Sequence, residues 1–243
     1  MKAMIFAAGL GTRLKPLTDN MPKAMVEIAG KPLLEHVILK LKAAGFDEII
    51  VNVHHFAEQI ISFLEAENNF GIRIEISDES DMLLETGGGI KKAAAFFDDG
   101  KPFLVHNVDI LSDIDLLEFY QYNVASKAIA TLLVSERSTS RYLLFDKDNH
   151  LHAWINEKTW EIKSPYPNIV ATDYKKYAFS GIHVISPEIF AYMDNWKGKF
   201  SIIDFYLSIA DKTNVDCYIA QGMKLIDVGK LDSLTEAENF IKL

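Results

Sequence analysis

Ile5-Phe6-Ala7-Ala8-Gly9-Leu10-Gly11-Thr12-Arg13-Leu14-Lys15-Pro16-Leu17-Thr18, with Pro22-Lys23 close behind, is the stretch on which the reading of this chain turns. An apolar run with the character of a buried strand breaks directly into a glycine-rich loop. Arg13, Lys15 and Lys23 follow, with no acid before Asp19. Glycines let backbone approach a ligand closely and aim N–H groups at anions. Arg and Lys supply the charge that a polyphosphate requires. Together they predict a nucleotide held by its phosphates at the end of a first strand. A dinucleotide fingerprint would need a third glycine where Leu14 stands, and a P-loop would need Gly-Lys-Ser/Thr; neither is present.

Outward from this loop, short apolar strands alternate with amphipathic helices. Met1–Ala7, Glu48–Val53, Ile72–Ile76, Pro102–His106 and Ala128–Ser135 read as strands. Pro32–Ala44, Ala57–Glu67, Gly89–Phe97 and Leu116–Asn123 read as helices, the first with Leu34, Val37, Ile38 and Leu41 on one face. Such alternation predicts an α/β protein with a doubly wound, mostly parallel sheet. Beyond about residue 135 the rhythm changes. Arg141–Asp146, His150–Ile155 and Tyr177–Ile185 read as strands of a small inserted mixed sheet. Pro187–Met193, Ile202–Asp211 and Leu231–Leu243 then read as helices, and Val215–Ala220 and Lys224–Asp227 as short strands. The expectation is one domain, 1–243: a core over about 1–135, an insertion over about 136–185, and a return to the core over about 186–243.

Composition narrows the partners. The chain carries 25 Lys and Arg against 34 Asp and Glu, a net charge of −9, which disfavours non-specific nucleic-acid binding. The single Cys217 excludes an internal disulfide and reads as a small buried hydrophobe. No run of about 18 apolar residues is present, and the N-terminal apolar run is too short for a signal peptide. A cytoplasmic protein with no membrane association is expected. Seven histidines show no zinc spacing, and no nucleophile elbow supports triad chemistry.

The loop resembles, position by position from Gly9 to Thr18 and again at Pro22-Lys23, the signature G-x-G-T-R-L-x-P-L-T…P-K of the sugar nucleotidyltransferases. That resemblance implies a Rossmann-like core, an insertion that acts as a sugar-binding lid, and Mg2+ as cofactor. It implies nucleotide binding by Ala8, Gly9, Gly11, Thr12, Arg13 and Lys23. Asn107-Val108-Asp109 matches the family's N-x-D after a strand, and Leu225-Ile226-Asp227-Val228-Gly229 matches its D-V/I-G-T apart from Lys230. The resemblance therefore makes Asp109 and Asp227 the metal ligands. It makes Arg13, Lys23, Asp109 and Asp227 the catalytic set. Two distant carboxylates suit magnesium, a hard ion that completes its shell with water and phosphate oxygens.

Leu84-Glu85-Thr86-Gly87-Gly88-Gly89-Ile90 places three glycines ahead of the predicted helix, and the resemblance gives Gly87 and Gly88 to the base pocket. Its E-T-G-G-G-I form is similar to the branch that joins UTP to N-acetylmuramic acid 1-phosphate. Asn156-Glu157-Lys158-Thr159 resembles the family's E-K-P, with Thr159 in place of proline. This implies that Glu157 holds sugar hydroxyls and that Lys158 holds the sugar phosphate. Ser180-Gly181-Ile182 resembles a segment that contacts the sugar through Gly181. The implied partners are an NTP, UTP favoured, and a sugar 1-phosphate, for a monomer or a homodimer. Mannose-1-phosphate guanylyl transfer, cytidylyl transfer to a sugar or choline phosphate, and a non-catalytic nucleotide-sugar-binding subunit remain alternatives.

Overall fold

The protein is described by a computed structural model of residues 1–242; Leu243, where the last expected helix closes, lies outside the described residues. In chain order the first elements are β1 (Lys2–Phe6), β2 (Glu27–Ile28), β3 (Lys31–Pro32), α1 (Leu33–Ala43), β4 (Glu48–Val53), α2 (Ala57–Ala66), β5 (Arg73–Asp78), α3 (Glu85–Lys92), β6 (Phe103–Asn107) and β7 (Ile110–Ser112). They are followed by α4 (Leu116–Ser126), β8 (Ala130–Ser135), β9 (Arg141–Phe145), β10 (Leu151–Asn156), β11 (Glu161–Lys163), β12 (Lys175–Ile185), α5 (Ile202–Ile209), β13 (Val215–Ile219), β14 (Leu225–Asp227) and α6 (Ser233–Ile241). These group into two compact units. One comprises Met1–Leu83, Leu104–Leu117 and Met223–Leu243; the other comprises Leu84–Phe103 and Glu118–Gly222. The divisions expected near 135 and 185 do not coincide with these, because the chain rejoins the first unit only at Met223.

The first unit is built on a parallel sheet in the order β6-β1-β4-β5. Apolar runs bury both faces of its central strands. Ala3, Met4 and Ile5 of β1 and Ile49, Val51 and Val53 of β4 are fully enclosed. Helix α1 closes over the sheet with Leu33, Leu34, Val37, Ile38 and Leu41, the stripe that the 3.6-residue period predicts. Strand order reverses between β1 and β6. Ligands of open α/β sheets bind beyond the carboxyl ends of strands at such a switch. The glycine loop leaves β1 there, and Asp109 follows β6 there.

In the second unit the sheet order is β11-β10-β9-β12-β8-β13. The expected insertion pairs antiparallel throughout rather than as a mixed sheet. Short turns such as Asp146–Asn149 leave no room for the crossover that a parallel pair needs. Parallel pairing in this unit comes from β8 and β13. Tyr142, Leu144, Ala153, Ile155 and Ala178 form a small core of their own under β9 and β10. Pro187–Met193, expected as an α-helix, is a 3₁₀ segment. Cys217 is buried, and burial pushes its thiol up to about 12. No helix among the described residues is long and apolar enough to cross a membrane.

Each unit encloses a neutral histidine. In the first, His106 Nδ1–H donates to the Asn107 carbonyl at 2.8 Å, which leaves Nε2 buried with no partner among the described residues. In the second, His183 Nδ1 lies 2.6 Å from the Tyr206 hydroxyl. Burial pushes His106 down to about 4 and His183 down to about 3. An unfolded histidine titrates near 6.5, so below that pH the unfolded chain takes the proton first and stability falls. At pH 5 each histidine is expected to cost up to about 2 kcal/mol. Denaturant midpoints at pH 7 and pH 5 test this. His183→Gln should flatten the slope, and equal wild-type midpoints at the two pH values would reject the account.

Candidate functional site

Strand β1 hands over to its loop through a buried clamp. The Ala7 and Ala8 N–H groups both donate to Asn52 Oδ1, at 2.7 and 3.3 Å. Asn52 Nδ2 in turn donates to Glu79 Oε1 at 2.9 Å. Both side chains are almost wholly enclosed, so this network fixes where the loop begins. It also commits the Ala8 N–H to the protein, leaving Ala8 to contribute shape and not a free donor.

The following glycines differ in cause. A Cβ on Gly9 would meet nothing within 4 Å, so protein packing does not demand a glycine there. Gly11 is demanded by the fold. Its φ is +64°, and a Cβ would lie 2.9 Å from Thr18 Cγ2 and 3.0 Å from Lys23 Cβ. Its carbonyl accepts from Leu14 N–H at 2.8 Å and from the Thr18 hydroxyl at 2.9 Å. Gly11 thereby seats Thr12 and Arg13, both exposed, on a 3₁₀ turn and packs against the stem of Lys23.

The three loop cations divide. Lys15 pairs with its own neighbour Asp19 at 3.1 Å, on the surface. Lys23 is buried, and its ammonium donates to Asp109 Oδ2. Arg13 makes no ion pair among the described residues. Its guanidinium lies over Gly229, where a Cβ would stand 2.8 Å from Arg13 Nη2 and 2.6 Å from Asp227 Oδ1. Asp227 Oδ1 is itself buried with no hydrogen-bond partner among the described residues.

Backbone pairing brings the two aspartates together. In the β7–β14 ladder Asp227 faces Ile110, and the Val228 N–H donates to the Asp109 carbonyl at 2.8 Å. Asp109 already carries an ammonium on one oxygen, whereas Asp227 holds an oxygen that no group among the described residues satisfies. A buried acceptor left bare costs about 1–3 kcal/mol or more. Such an oxygen fits a hard dication, and two carboxylates are the share a protein usually gives magnesium. The first unit thus gathers Ala8, Gly9, Gly11, Thr12, Arg13, Lys23, Asp109 and Asp227. Asn52, Glu79 and Gly229 belong with them and were not singled out from the sequence. An asparagine inside the apolar run Glu48–Val53 is the signal that could have found the clamp.

Gly87, Gly88, Glu157, Lys158 and Gly181 lie in the second unit. Gly87 and Gly88 do not precede a helix; they sit inside α3, which begins at Glu85. A Cβ on Gly87 would lie 2.3 Å from the Phe200 ring, and one on Gly88 would lie 2.5 Å from the Gly198 carbonyl. Gly87 N–H donates to the Phe200 carbonyl at 2.9 Å. Close packing of helix against loop therefore requires both glycines. Gly87→Ala is expected to destabilise by about 1–3 kcal/mol through overpacking; a thermal midpoint equal to wild type would reject this. Glu157 accepts from Lys176 at 2.6 Å on the surface. The Lys158 side chain has no partner among the described residues. Gly181, at φ +75°, forms the bulge where the pairing of β12 with β8 shifts register.

Comparison with known proteins bears on the family and the fold. A family model described as nucleotidyl transferase matches residues 2–242. An N-acetylmuramate alpha-1-phosphate uridylyltransferase from Caulobacter vibrioides is 34% identical over 97% of this chain and 95% of its own length. A UTP–glucose-1-phosphate uridylyltransferase from Synechocystis is 31% identical over 98% of this chain and 62% of its own length. Among solved structures, a UDP-glucose pyrophosphorylase complexed with UDP-glucose superposes with a TM-score of 0.78 at 18% identity, covering 99% of this chain and 98% of that one. At that identity the likeness shows the fold alone.

Proposed function

Because the chain belongs to the nucleotidyl transferase family, we propose that it joins UTP and N-acetylmuramic acid 1-phosphate into a nucleotide sugar, releasing pyrophosphate. The observation that carries the reaction is the convergence at Gly229 of an unpaired guanidinium and a buried, unpartnered carboxylate oxygen. One cation and one vacant anionic ligand, beyond the carboxyl ends of the switch strands, suit a polyphosphate with its counterion. The choice of UTP is supported by both uridylyltransferases to which the chain is similar, and the choice of sugar by the N-acetylmuramate alpha-1-phosphate uridylyltransferase alone.

An oxygen of the sugar phosphate attacks the α-phosphorus, a P–O bond forms, and the bond to pyrophosphate breaks. The nucleophile is already an anion, so no general base is needed; alignment and charge neutralisation supply the rate. Arg13 would stabilise the departing pyrophosphate. The backbone at Gly9, open to approach, would cradle the triphosphate with Gly11 and Thr12. Lys23 would move from Asp109 toward the α-phosphate or the incoming sugar phosphate. Lys158 would hold the sugar phosphate, and Glu157 and Gly181 would contact the sugar. Asp109 and Asp227 would hold Mg2+, which when bound supplies a Lewis acid on the phosphate oxygens. A cytoplasmic setting, where nucleoside triphosphates are abundant, goes with this reading.

Pyrophosphate release with magnesium tests it, across UTP, GTP, CTP and dTTP, each with N-acetylmuramic acid 1-phosphate, mannose 1-phosphate and glucose 1-phosphate. Preference for UTP with the muramic acid phosphate is expected. GTP with mannose 1-phosphate would keep the chemistry and replace the substrates. Nucleotide binding without turnover in any pairing would leave a non-catalytic binding subunit.

A further inference from the structure

Within the second unit, strands β9, β10 and β11, an edge of β12 and the start of α5 line an open cavity of about 540 Å³. That volume lies in the range of small-molecule sites, about 300–1,000 Å³. Its charges are unevenly matched. Lys163 and Asp204 are bonded to each other at 2.9 Å, and Lys163 also lies over the Trp154 ring, 5.3 Å from its centroid. Arg137 is tethered to the wall by a bond from Nη2 to the Phe179 carbonyl at 3.1 Å. The Arg141 side chain has no partner among the described residues. Glu161 is the one remaining acid in the lining. A chain of net charge −9 thus gives this cavity a positive surplus.

Two guanidinium groups beside apolar surface from Trp154 and Phe179 make a specific demand on a ligand. Each guanidinium is a planar fork that matches a carboxylate in two parallel bonds. The aromatic rings call for apolar surface next to that anion, as where a carboxylate hangs from a sugar ring on a short alkyl arm. Lys158, the residue that the resemblance gives to the sugar phosphate, is not part of this lining.

We propose that this cavity is a subsite for the carboxylate of an acidic sugar, read by Arg137 and Arg141. Its identification with the substrate's sugar rests on the function proposed above; the charge argument rests on the cavity alone. A phosphate shares the anionic chemistry, so the test must separate the two anions.

Equilibrium binding by calorimetry to the full chain does so with three probes: N-acetylmuramic acid 1-phosphate, N-acetylglucosamine 1-phosphate, and N-acetylmuramic acid without phosphate. Wild type is expected to bind the acidic phosphate at least about tenfold tighter than the neutral one. Arg141→Gln and Arg137→Gln should each weaken the acidic probes about 10–100-fold, the worth of a charge-assisted bond, and leave the neutral phosphate unchanged. Arg141→Lys, which keeps the charge without the fork, should fall between. Unchanged thermal midpoints would show that the variants fold. Equal or undetectable binding of the two sugar phosphates overturns the proposal, as does an equal loss for both in the arginine variants. Selective binding without pyrophosphate release would remove the reaction and keep the subsite. Turnover indifferent to the carboxylate would do the reverse.

Discussion

Asp227→Asn is expected to lower turnover by about 10³-fold or more while leaving the protein as stable as wild type or slightly more so. The two signs come from one atom. Asp227 Oδ1 is buried and accepts no hydrogen bond from the described residues, so the folded chain carries the cost of a buried acceptor without a partner. Asparagine has the same shape and no charge, which lessens that cost because a neutral amide is cheaper to bury than an anionic oxygen. What it also removes is the anionic ligand for a dication, whose share of transition-state charge neutralisation is several kcal/mol, each 1.36 kcal/mol being tenfold in rate. Stability and activity moving in opposite directions mark a residue kept strained for function. Turnover at saturating magnesium, with thermal midpoints in magnesium and in chelator, decides the matter. Magnesium and UTP should raise the wild-type midpoint by mass action and raise the variant's less. Turnover within tenfold of wild type would take Asp227 out of the metal role.

How far the sequence alone reached depended on the range of the interactions involved. Glu48–Val53 was read with its bounds intact and α1 to within one residue at each end, because burial on a parallel sheet writes a local apolar pattern. The pairs β2–β3 and β7–β14 went only partly seen. Strands of two or three residues carry no period, and Lys224–Asp227 gave no sign of its partner at Ile110–Ser112. At the triple glycine the sequence pattern starts the helix at Gly89, four residues after α3 begins. In isolation it reads as a turn, and only Phe200 and Gly198, more than a hundred residues on, make it a helix packed too closely for side chains. The candidate site shows the same division. Gly11 and Arg13 were legible because loop and charge are contiguous. The ion pair of Lys23 with Asp109 spans 86 residues, and no spacing announces it. Arg137 and Arg141 belong to no motif in the sequence, and the fold sets them around one cavity.

Lys23 is where that hidden pairing has its largest consequence. Lys23→Ala is expected to reduce kcat/KM by about 10²–10³, the scale for removing one preorganised donor to transition-state charge. Unlike Asp227→Asn, it should also reduce stability. The ammonium is buried on the Asp109 carboxylate, which is itself only 20% exposed. Removing one partner leaves the other desolvated without compensation, a loss of about 1–3 kcal/mol. Alanine also empties the slot that the lysine stem fills against Gly11. Lys23→Met separates the causes, since it keeps the stem and discards the charge. Its thermal midpoint should lie between those of wild type and Lys23→Ala, while its kcat/KM should fall as far as that of the alanine variant. If the methionine variant turns over within tenfold of wild type, the ammonium only balances Asp109. If it is as slow as alanine yet better folded, the same charge that holds Asp109 in the resting protein is the one presented to the phosphates during transfer.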